Sequence, residues 1–355
     1  LLMKKYLVLE NGKIFEGESF GADGDVSAEL VFSTAMVGYV GTLTDPRFAG
    51  QAVCMTFPVI GNSGVSEADL LSGTVTPAAL IVREYCDEPS NFRSEETLDA
   101  FLKKHGVPGI SGIDTRQLTK ILRENGSVNG KITSDPASVD LAELKNHRIT
   151  DLVGRVSAKS IRLETAAEAQ YKIALLDFGV TSDIPAELNR LGCDVYVLPH
   201  TTSAEAVLAL APDGIFVSGG PGSPYDCDCT EIVSVLKSLS SSGIPMMAVG
   251  LGHQLLAIAY GMTVQKLPHG HRGSNQPVRD TASGHLYITA QNHGWSVADA
   301  NEAAEVTFLH AGDGSVEGLE YKTIPAFSVQ FTPDTNEIAA GTGFLYQKFL
   351  QKMTK

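Results

Sequence analysis

The sequence predicts a two-domain α/β protein, in which an α+β domain is followed by a domain built on a mostly parallel sheet. The chain has 355 residues, more than the roughly 100 to 200 residues of an ordinary domain. Its pattern also changes: short β-rich runs fill residues 1–150, whereas apolar strands alternate with helical stretches across 171–355. The polar segment 151–170 between them is predicted to be a linker.

Short strands and one late helix define the first domain. Glycine-containing turns separate its β-rich runs, which include 13–17, 29–33 and 51–57. A helix is predicted over Thr115–Asn125, because Asp114 is a good N-cap and Gly126 follows the last helical residue.

Strands and helices alternate in the second domain. Apolar runs typical of buried strands lie at 172–178, 194–198, 214–218 and 245–249, with helical stretches at 203–210 and 231–239. This alternation predicts a parallel sheet. Because such sheets bind ligands at the carboxyl ends of their strands, we expect chemistry in the loops after Val217 and Val249.

Charge and hydropathy exclude two classes of partner. The formal net charge of −14 repels a phosphate backbone, and no cluster of Lys and Arg offsets that repulsion, so we expect no nucleic-acid partner. No apolar stretch reaches the ~18 residues of a membrane span, so we expect no membrane partner either.

The five cysteines indicate a reducing compartment rather than a disulfide framework. They are odd in number and scattered, and the first nine residues are typical of a strand rather than a leader, so we expect a cytoplasmic location. Cys227 and Cys229 resemble half of a metal site. No second Cys or His pair lies at matching spacing, so we expect no metal and interpret both as loop thiols.

The segment 245–256 carries the most informative motif. An apolar strand runs into a helix through a glycine-containing turn, which is the geometry of a nucleophile elbow. The segment resembles the elbow of class I glutamine amidotransferases, whose pattern is Gly-x-Cys-x-Gly-x-Gln. The cysteine position of that pattern is Gly250 here, and its first glycine position is Ala248. The resemblance also implies that Leu251 and Gln254 contact the substrate.

Two further segments are similar to the same family. The segment 218–224 resembles the loop whose backbone amides form the oxyanion hole, with Gly220 and Gly222 intact. The segment 290–295 resembles the one that holds the α-amino and α-carboxyl groups of glutamine. For that segment the resemblance implies binding roles for Asn292, Gly294 and Trp295.

Motifs in the first domain indicate which amidotransferase family the chain resembles. Its motifs resemble, in the same order, those of the carbamoyl phosphate synthetase small subunit, and they lie at 33–39, 43–46, 60–62, 90–93 and 112–116. The resemblance spans essentially the whole chain. It implies that the chain releases ammonia from glutamine for a large-subunit partner, which uses ATP, with Mg, and bicarbonate to make carbamoyl phosphate. It implies no cofactor in this chain.

The catalytic triad of that family is absent here. Glutamine hydrolysis needs a thiolate nucleophile, a His base and a carboxylate that orients the His. Gly250 has no side chain, Thr332 stands at the His position, and Asp334 stands at the Glu position. Because a hydroxyl cannot act as a base near neutral pH, two of the three functions are missing. Loss of nucleophile or base alone costs on the order of 10⁶ in turnover in a comparable hydrolase, so we predict that glutaminase activity is lost.

Neighbouring positions are changed as well, which favours drift or repurposing of the pocket over a deliberately inactivated variant. Arg47 replaces a small hydroxyl residue near the family's glutamine pocket, Gly219 replaces Asn, and Thr181 replaces Lys.

Other reactive side chains are expected to have structural roles. Cys227 and Cys229 are not on an elbow, so neither is expected to replace the nucleophile. His253 is expected to be packed or hydrogen-bonded. His269 and His271 are expected to serve a structural or subunit-contact role rather than chemistry.

Two functions remain open. The first is a subunit of an ammonia-dependent carbamoyl phosphate synthetase, serving arginine or pyrimidine biosynthesis, in which the inactive domain stabilises or regulates its partner. The second is a diverged sensor that binds a small molecule, glutamine or another, around Arg47, Gly250 and Trp295. In that case Arg47 would pair with a carboxylate or phosphate.

Overall fold

The computed structural model describes residues 3–226, 229–334 and 341–354. Contacts within the chain divide it into two compact units, Leu1–Thr150 and Asp151–Lys355. Each unit has its own strands, helices and buried apolar core. The predicted α/β class is confirmed.

Seven strands of the first unit close into a barrel in the described part of the chain. The strands of this unit are β1 Lys4–Leu9, β2 Ile14–Gly21, β3 Val26–Ser33, β4 Gln51–Met55, β5 Val59–Ile60, β6 Ala79–Ile81, β7 Glu84–Tyr85, β8 Pro108–Ser111 and β9 Val128–Thr133. The barrel order is β1, β2, β8, β6, β4, β3 and β9, and β9 pairs back with β1. Leu7 and Leu9, which alternate inward from β1, are fully buried, so apolar side chains fill the interior.

Short helices accompany the barrel. They are α1 Tyr39–Thr44, α2 Leu98–Lys104, α3 Thr115–Asn125 and α4 Leu141–Lys145. The predicted bounds of α3 are confirmed. The Asp114 carboxylate accepts a hydrogen bond from the Gln117 amide at 2.9 Å, which satisfies an unpaired donor of the first turn. Leu118 and Leu122 on one face are buried, so packing stabilises the capped helix.

A ten-stranded sheet dominates the second unit. Its strands are β10 Arg162–Glu164, β11 Tyr171–Asp177, β12 Cys193–Pro199, β13 Gly214–Val217, β14 Met246–Val249, β15 Val264–Asp280, β16 Leu286–Val297, β17 Ala304–His310, β18 Val316–Tyr321 and β19 Ala326–Val329. The order across the sheet is β10, β12, β11, β13, β14, β19, β18, β16, β15 and β17. The helices are α5 Leu152–Val156, α6 Asp183–Arg190, α7 Ala204–Ala209, α8 Cys229–Ser240, α9 Leu251–Ala259 and α10 Phe344–Met353.

The centre of this sheet is parallel, as predicted: β12, β11, β13, β14 and β19 all run the same way. Successive residues of β14 point to opposite faces, so Met246 and Ala248 join one apolar cluster while Met247 and Val249 join the other. Both faces are therefore covered, as parallel sheets require. None of the described helices is both long and apolar enough to cross a membrane.

Both edges of the sheet contain strands that the sequence did not predict. On one side β18, β16, β15 and β17 pair antiparallel, and β15 and β16 are interrupted by shifts of register. On the other side the segment 151–170, predicted to link the domains, belongs to the second unit. It supplies α5 and also β10, which pairs antiparallel with β12.

Candidate active site

Three loops of the second unit meet at the carboxyl edge of the parallel sheet. β14 lies between β13 and β19, with Val217 opposite Ala248 and Val249 opposite Val329. The glycine-rich loop after β13, the turn at Gly250 and the segment that leads to Thr332 therefore start side by side. This is the edge at which parallel sheets bind ligands.

The turn between β14 and α9 keeps the backbone of an elbow. Gly250 has φ 54° and ψ −116°, a left-handed conformation that strains residues with a side chain. Its amide donates to the Val329 carbonyl at 3.0 Å, and its carbonyl accepts from the Gln254 amide at 3.2 Å. A Cβ at this position would lie 3.2 Å from the Gly219 Cα. The corner that would present a nucleophile is thus formed without one.

Close packing of α9 against the sheet explains another glycine of the elbow. The Gly252 amide donates to the Ser218 carbonyl at 3.2 Å. A Cβ at Gly252 would lie 2.8 Å from the same carbonyl oxygen, so a larger residue would push the helix away from β13. Leu251, beside it, was predicted to contact the substrate, but its side chain is buried in the apolar core.

The loop after β13 has the tight course expected of an oxyanion-type loop. A Cβ at Gly220 would collide with the Phe178 carbonyl oxygen, so this position requires glycine. Gly222 has φ 92°, also in the left-handed region. Ser223 donates its amide to the Asp226 carboxylate at 3.0 Å, and this bond holds the end of the loop.

Thr332 and Asp334, which stand at the predicted His and Glu positions, follow β19. Thr332 donates its amide to the Ala290 carbonyl at 3.2 Å and forms an isolated bridge with that residue. Asp334 donates its amide to the Thr342 hydroxyl at 2.8 Å. Thr332 and Gly250 thus follow neighbouring parallel strands, but neither residue offers a thiol or an imidazole.

Gln254 ties the elbow helix to the 290–295 segment. Its Nε2 donates to the Trp295 carbonyl and to the Gln330 Oε1, each at 3.0 Å, and the residue is 3% exposed. Asn292, Gly294 and Trp295 themselves are half-buried. The Gln254 amide group is therefore engaged within the protein. Its partner Gln330 lies in the segment 327–331, which resembles the family's run to the catalytic His, but it was not predicted to be a site residue.

Arg47 lies in the first unit and is paired there. Its Nε and Nη2 form a bidentate ion pair with the Asp45 carboxylate, at 2.8 Å and 2.7 Å for the shortest contacts. Asp45 also accepts the Arg47 backbone amide at 2.9 Å and so caps a short 3₁₀ helix, Pro46–Phe48. The guanidinium charge is thus neutralised by a neighbouring carboxylate.

The histidines near the elbow differ in burial. His253 is fully buried, and one ring nitrogen lies 2.7 Å from the Ser328 hydroxyl. Burial lowers the pKa of His253 to about 3, so the ring is neutral at physiological pH. The structural role predicted for His253 fits this environment. His269 is exposed, and its carbonyl accepts from Arg272 at 2.8 Å.

A second group of polar side chains includes His293 of the 290–295 segment, and we call it the histidine cluster. It consists of His271, His293 and Glu317, and their exposed side-chain fractions are 8%, 7% and 0%. Burial tends to lower the His271 pKa, but the Glu317 and Asp313 carboxylates raise it overall. Burial raises the Glu317 pKa and lowers the His293 pKa well below its usual value.

Of the two thiols considered in the sequence, only Cys229 lies among the described residues. Cys229, expected in a loop, is instead the first residue of α8 and is buried, because it packs into the core beneath the sheet. Cys227 lies outside the described residues.

The arrangement of these loops on a parallel sheet is that of a class I glutamine amidotransferase domain, and residues 174–352 match the class-I glutamine amidotransferase family. Residues 7–132 match the CPSase domain of the carbamoyl-phosphate synthase small chain. The match to relatives extends over almost the full length, and the chain belongs to the carbamoyl-phosphate synthase small chain family. The family predicted from the sequence is therefore confirmed.

Individual relatives are similar to this chain along nearly their whole length. The pyrimidine-specific small chain of carbamoyl phosphate synthase from Halalkalibacterium halodurans is 42% identical over 99% of this chain and 97% of its own. The pyrimidine-specific small chain of Bacillus subtilis is 42% identical over 98% of this chain and 96% of its own. A solved structure from Thermoplasma acidophilum, a candidate GMP synthase component, covers 52% of this chain and 94% of its own at 20% identity and a TM-score of 0.46.

Proposed function

We propose that this chain serves a carbamoyl phosphate synthetase as a small subunit that has lost its own glutaminase step, so that the complex uses free ammonia. The observation that carries the proposal is Gly250, a residue without a side chain at the tip of an otherwise intact elbow. Without a thiolate there is no atom to attack the glutamine amide.

The missing base supports the same conclusion. Even if another nucleophile reached the site, Thr332 could not take its proton near neutral pH, and Asp334 would have no imidazole to orient. The neutral ring of His253 is buried and bonded to Ser328, so it is not available as a substitute. We therefore assign the chain a supporting or regulatory role toward its synthetase partner.

The partner follows from the family. A large subunit would hold ATP and Mg and carry out the synthetase chemistry, while the small subunit binds it and contributes no cofactor. We place the complex in the cytoplasm, which suits the free thiols of Cys54, Cys86 and Cys193. The pyrimidine-specific names of two relatives favour a pyrimidine pathway over arginine synthesis.

The nitrogen donor tests this proposal directly. The chain is copurified with its large subunit, and carbamoyl phosphate formation is measured with glutamine and with ammonium as separate donors. Ammonium should support synthesis, whereas glutamine should give no more product than the isolated large subunit gives. A relative with an intact triad, assayed in the same way, is the positive control. Glutamine-dependent synthesis by this complex would contradict the proposal.

The alternative function, a small-molecule sensor, is less well supported. It would use Arg47 to hold an anionic ligand, but the guanidinium already forms a bidentate pair with Asp45. Thermal-shift screening of the isolated chain separates the two functions. A tight ligand unrelated to glutamine would favour a sensor, and flat responses would favour the synthetase subunit.

A further inference from the structure

The histidine cluster joins three strands of the antiparallel half of the second unit. His271 lies on β15, His293 on β16 and Glu317 on β18. One ring nitrogen of each histidine and one oxygen of Glu317 all lie within 4.8 Å of one another. None of these atoms has a role in the proposed loss of glutaminase activity, so their arrangement needs its own explanation.

The proton of His271 is held on the outer side of its ring. Its Nε2 lies 2.9 Å from the Asp313 carboxylate, which can only accept, so Nε2 carries the proton. In the neutral ring the lone pair of Nδ1 then points inward, 3.4 Å from Glu317 Oε1. These two atoms do not meet hydrogen-bond geometry, and among the described residues neither has another hydrogen-bond partner. Because the carboxylates raise the His271 pKa, a second proton on Nδ1 competes with a cation for this position.

His293 repeats this arrangement from the opposite side. Its Nδ1 lies 2.7 Å from the Trp295 carbonyl, a backbone acceptor that cannot turn over, so we assign the single proton of the neutral ring to Nδ1. Its Nε2 therefore presents a lone pair to the Gln291 Oε1 at 2.8 Å and to the Glu317 Oε1 at 3.9 Å. Two oxygens thus face a nitrogen that has no proton to donate.

The Gln291 amide cannot remove this conflict by turning over. Its Nε2 donates to Glu317 Oε2 at 2.9 Å and to the Thr289 hydroxyl at 3.0 Å. If the amide were reversed, its oxygen would face the Glu317 carboxylate instead, and the repulsion would only move. Four electron-pair donors therefore surround one small buried space, and such a space is suited to a cation.

We propose that His271 Nδ1, His293 Nε2 and Glu317 Oε1 bind a divalent cation of the Zn²⁺ class. Zn–N and Zn–O bonds of about 2.0 to 2.2 Å place tetrahedral ligand atoms about 3.3 Å apart, and the two separations from Glu317 Oε1 are 3.4 Å and 3.9 Å. Two neutral histidines and a carboxylate are a donor set that Zn²⁺ prefers. Gln291 Oε1 is available as a fourth ligand.

The surrounding groups orient the two histidine rings. Asp313 and the Trp295 carbonyl fix the ring orientation of one histidine each, in the way that carboxylate–histidine–metal arrangements do. Arg272 lies close enough to lower the His293 pKa and would oppose a cation, but the carboxylates of Glu317 and Asp313 outnumber it. Asp313 is 46% exposed, which leaves an approach to the site from solvent.

The site would control the position of the 290–295 segment. The Trp295 carbonyl accepts from His293 and also from Gln254 of α9, so a cation in the histidine cluster would fix both hydrogen bonds at once. Its role in this chain is therefore structural rather than catalytic.

Cobalt titration of the full-length, chelator-treated chain tests the site. We expect one equivalent of Co²⁺ to bind with the visible absorption of a tetrahedral complex and without thiolate charge-transfer bands, and Zn²⁺ to displace it. Zn²⁺ should also raise the melting temperature. Glu317→Gln should abolish cobalt binding, and Asp313→Asn should weaken it about 10- to 100-fold. His285→Ala, an exposed histidine outside the cluster, should leave it unchanged.

Several results would overturn the proposal. They are the absence of cobalt binding, equal binding by wild type and Glu317→Gln, and thiolate bands with unchanged affinity in the variants. Absence of binding would mean that a second proton on His271, or a proton on Glu317, relieves the repulsion instead. Loss of binding in His310→Ala but not in Glu317→Gln would move the cation to the second group, His271, His310 and Asp313, and would also contradict it. Circular dichroism of each metal-free variant checks the fold, and Asp313→Asn, with its half-exposed side chain, keeps the test valid if Glu317→Gln does not fold.

Discussion

The catalytic corner and the histidine cluster are built in opposite ways. The corner, from Gly250 and the loop at Gly220, is defined by its backbone, and Gly250 presents no side chain there. The histidine cluster is defined by side chains, each of which is held by a specific partner. The backbone of an elbow can therefore be kept at a position that carries no side chain.

The largest effect is expected when the family's triad side chains are introduced at the corner. The triple variant Gly250→Cys, Thr332→His, Asp334→Glu supplies nucleophile, base and orienting carboxylate at the ends of neighbouring strands. We expect glutamate release to rise by several orders of magnitude, up to about 10⁶. Gly250→Cys alone should give almost none, because the thiol has no base beside it. A triple variant as inactive as the single one would show that the backbone is not preserved well enough.

The next largest effect tests whether the backbone of the corner is as constrained as its geometry indicates. Gly220→Ala brings a Cβ against the Phe178 carbonyl, so we expect a loss of about 3 kcal/mol in the free energy of unfolding. Gly73→Ala is the matched control, since nothing lies within 4 Å of a Cβ at that position. Urea denaturation measures both. Equal stabilities for the two variants would refute the constraint.

A smaller effect is expected where the two regions meet. Gln254→Leu removes the donor shared by the Trp295 carbonyl and Gln330, so buried acceptors lose a partner. We expect a loss of about 1 to 3 kcal/mol in unfolding free energy. Gln351→Leu, on the exposed face of α10, should change it little. If both variants melt alike, Gln254 does not connect the two regions.

The last prediction concerns pH, and it is the smallest when the effect is counted per pH unit. The folded pKa of His253 is about 3, below its unfolded value of 6.5, so the unfolded chain binds more protons between these values. Stability should therefore fall as pH falls through this window. His253→Gln should reduce the slope by up to about 1.4 kcal/mol per pH unit. The control is His285→Gln, an exposed position, and urea titrations at pH 4 to 7 in ~1-unit steps provide the measurement. Identical slopes for wild type and His253→Gln would argue against a buried neutral ring.

The sequence predicted the parallel half of the sheet and the corner because both depend on local pattern. Apolar runs, Gly250 and the capped helix after Asp114 are visible within short windows. The antiparallel half was missed since β15 contains Pro268 and Pro277 and shifts of register, so its pattern is not that of a strand. The partners of His271 were missed for a related reason: Glu317 reaches it only through pairing of distant strands.

Glycine at position 250 affects the backbone strain of the elbow. A cysteine in the same left-handed conformation would store about 1 to 3 kcal/mol of backbone strain, which a glycine does not. Glycine therefore leaves this turn less strained than cysteine would. A Gly250→Cys change alone is expected to destabilise the native state, and its thiol would still have no imidazole at position 332 to activate it.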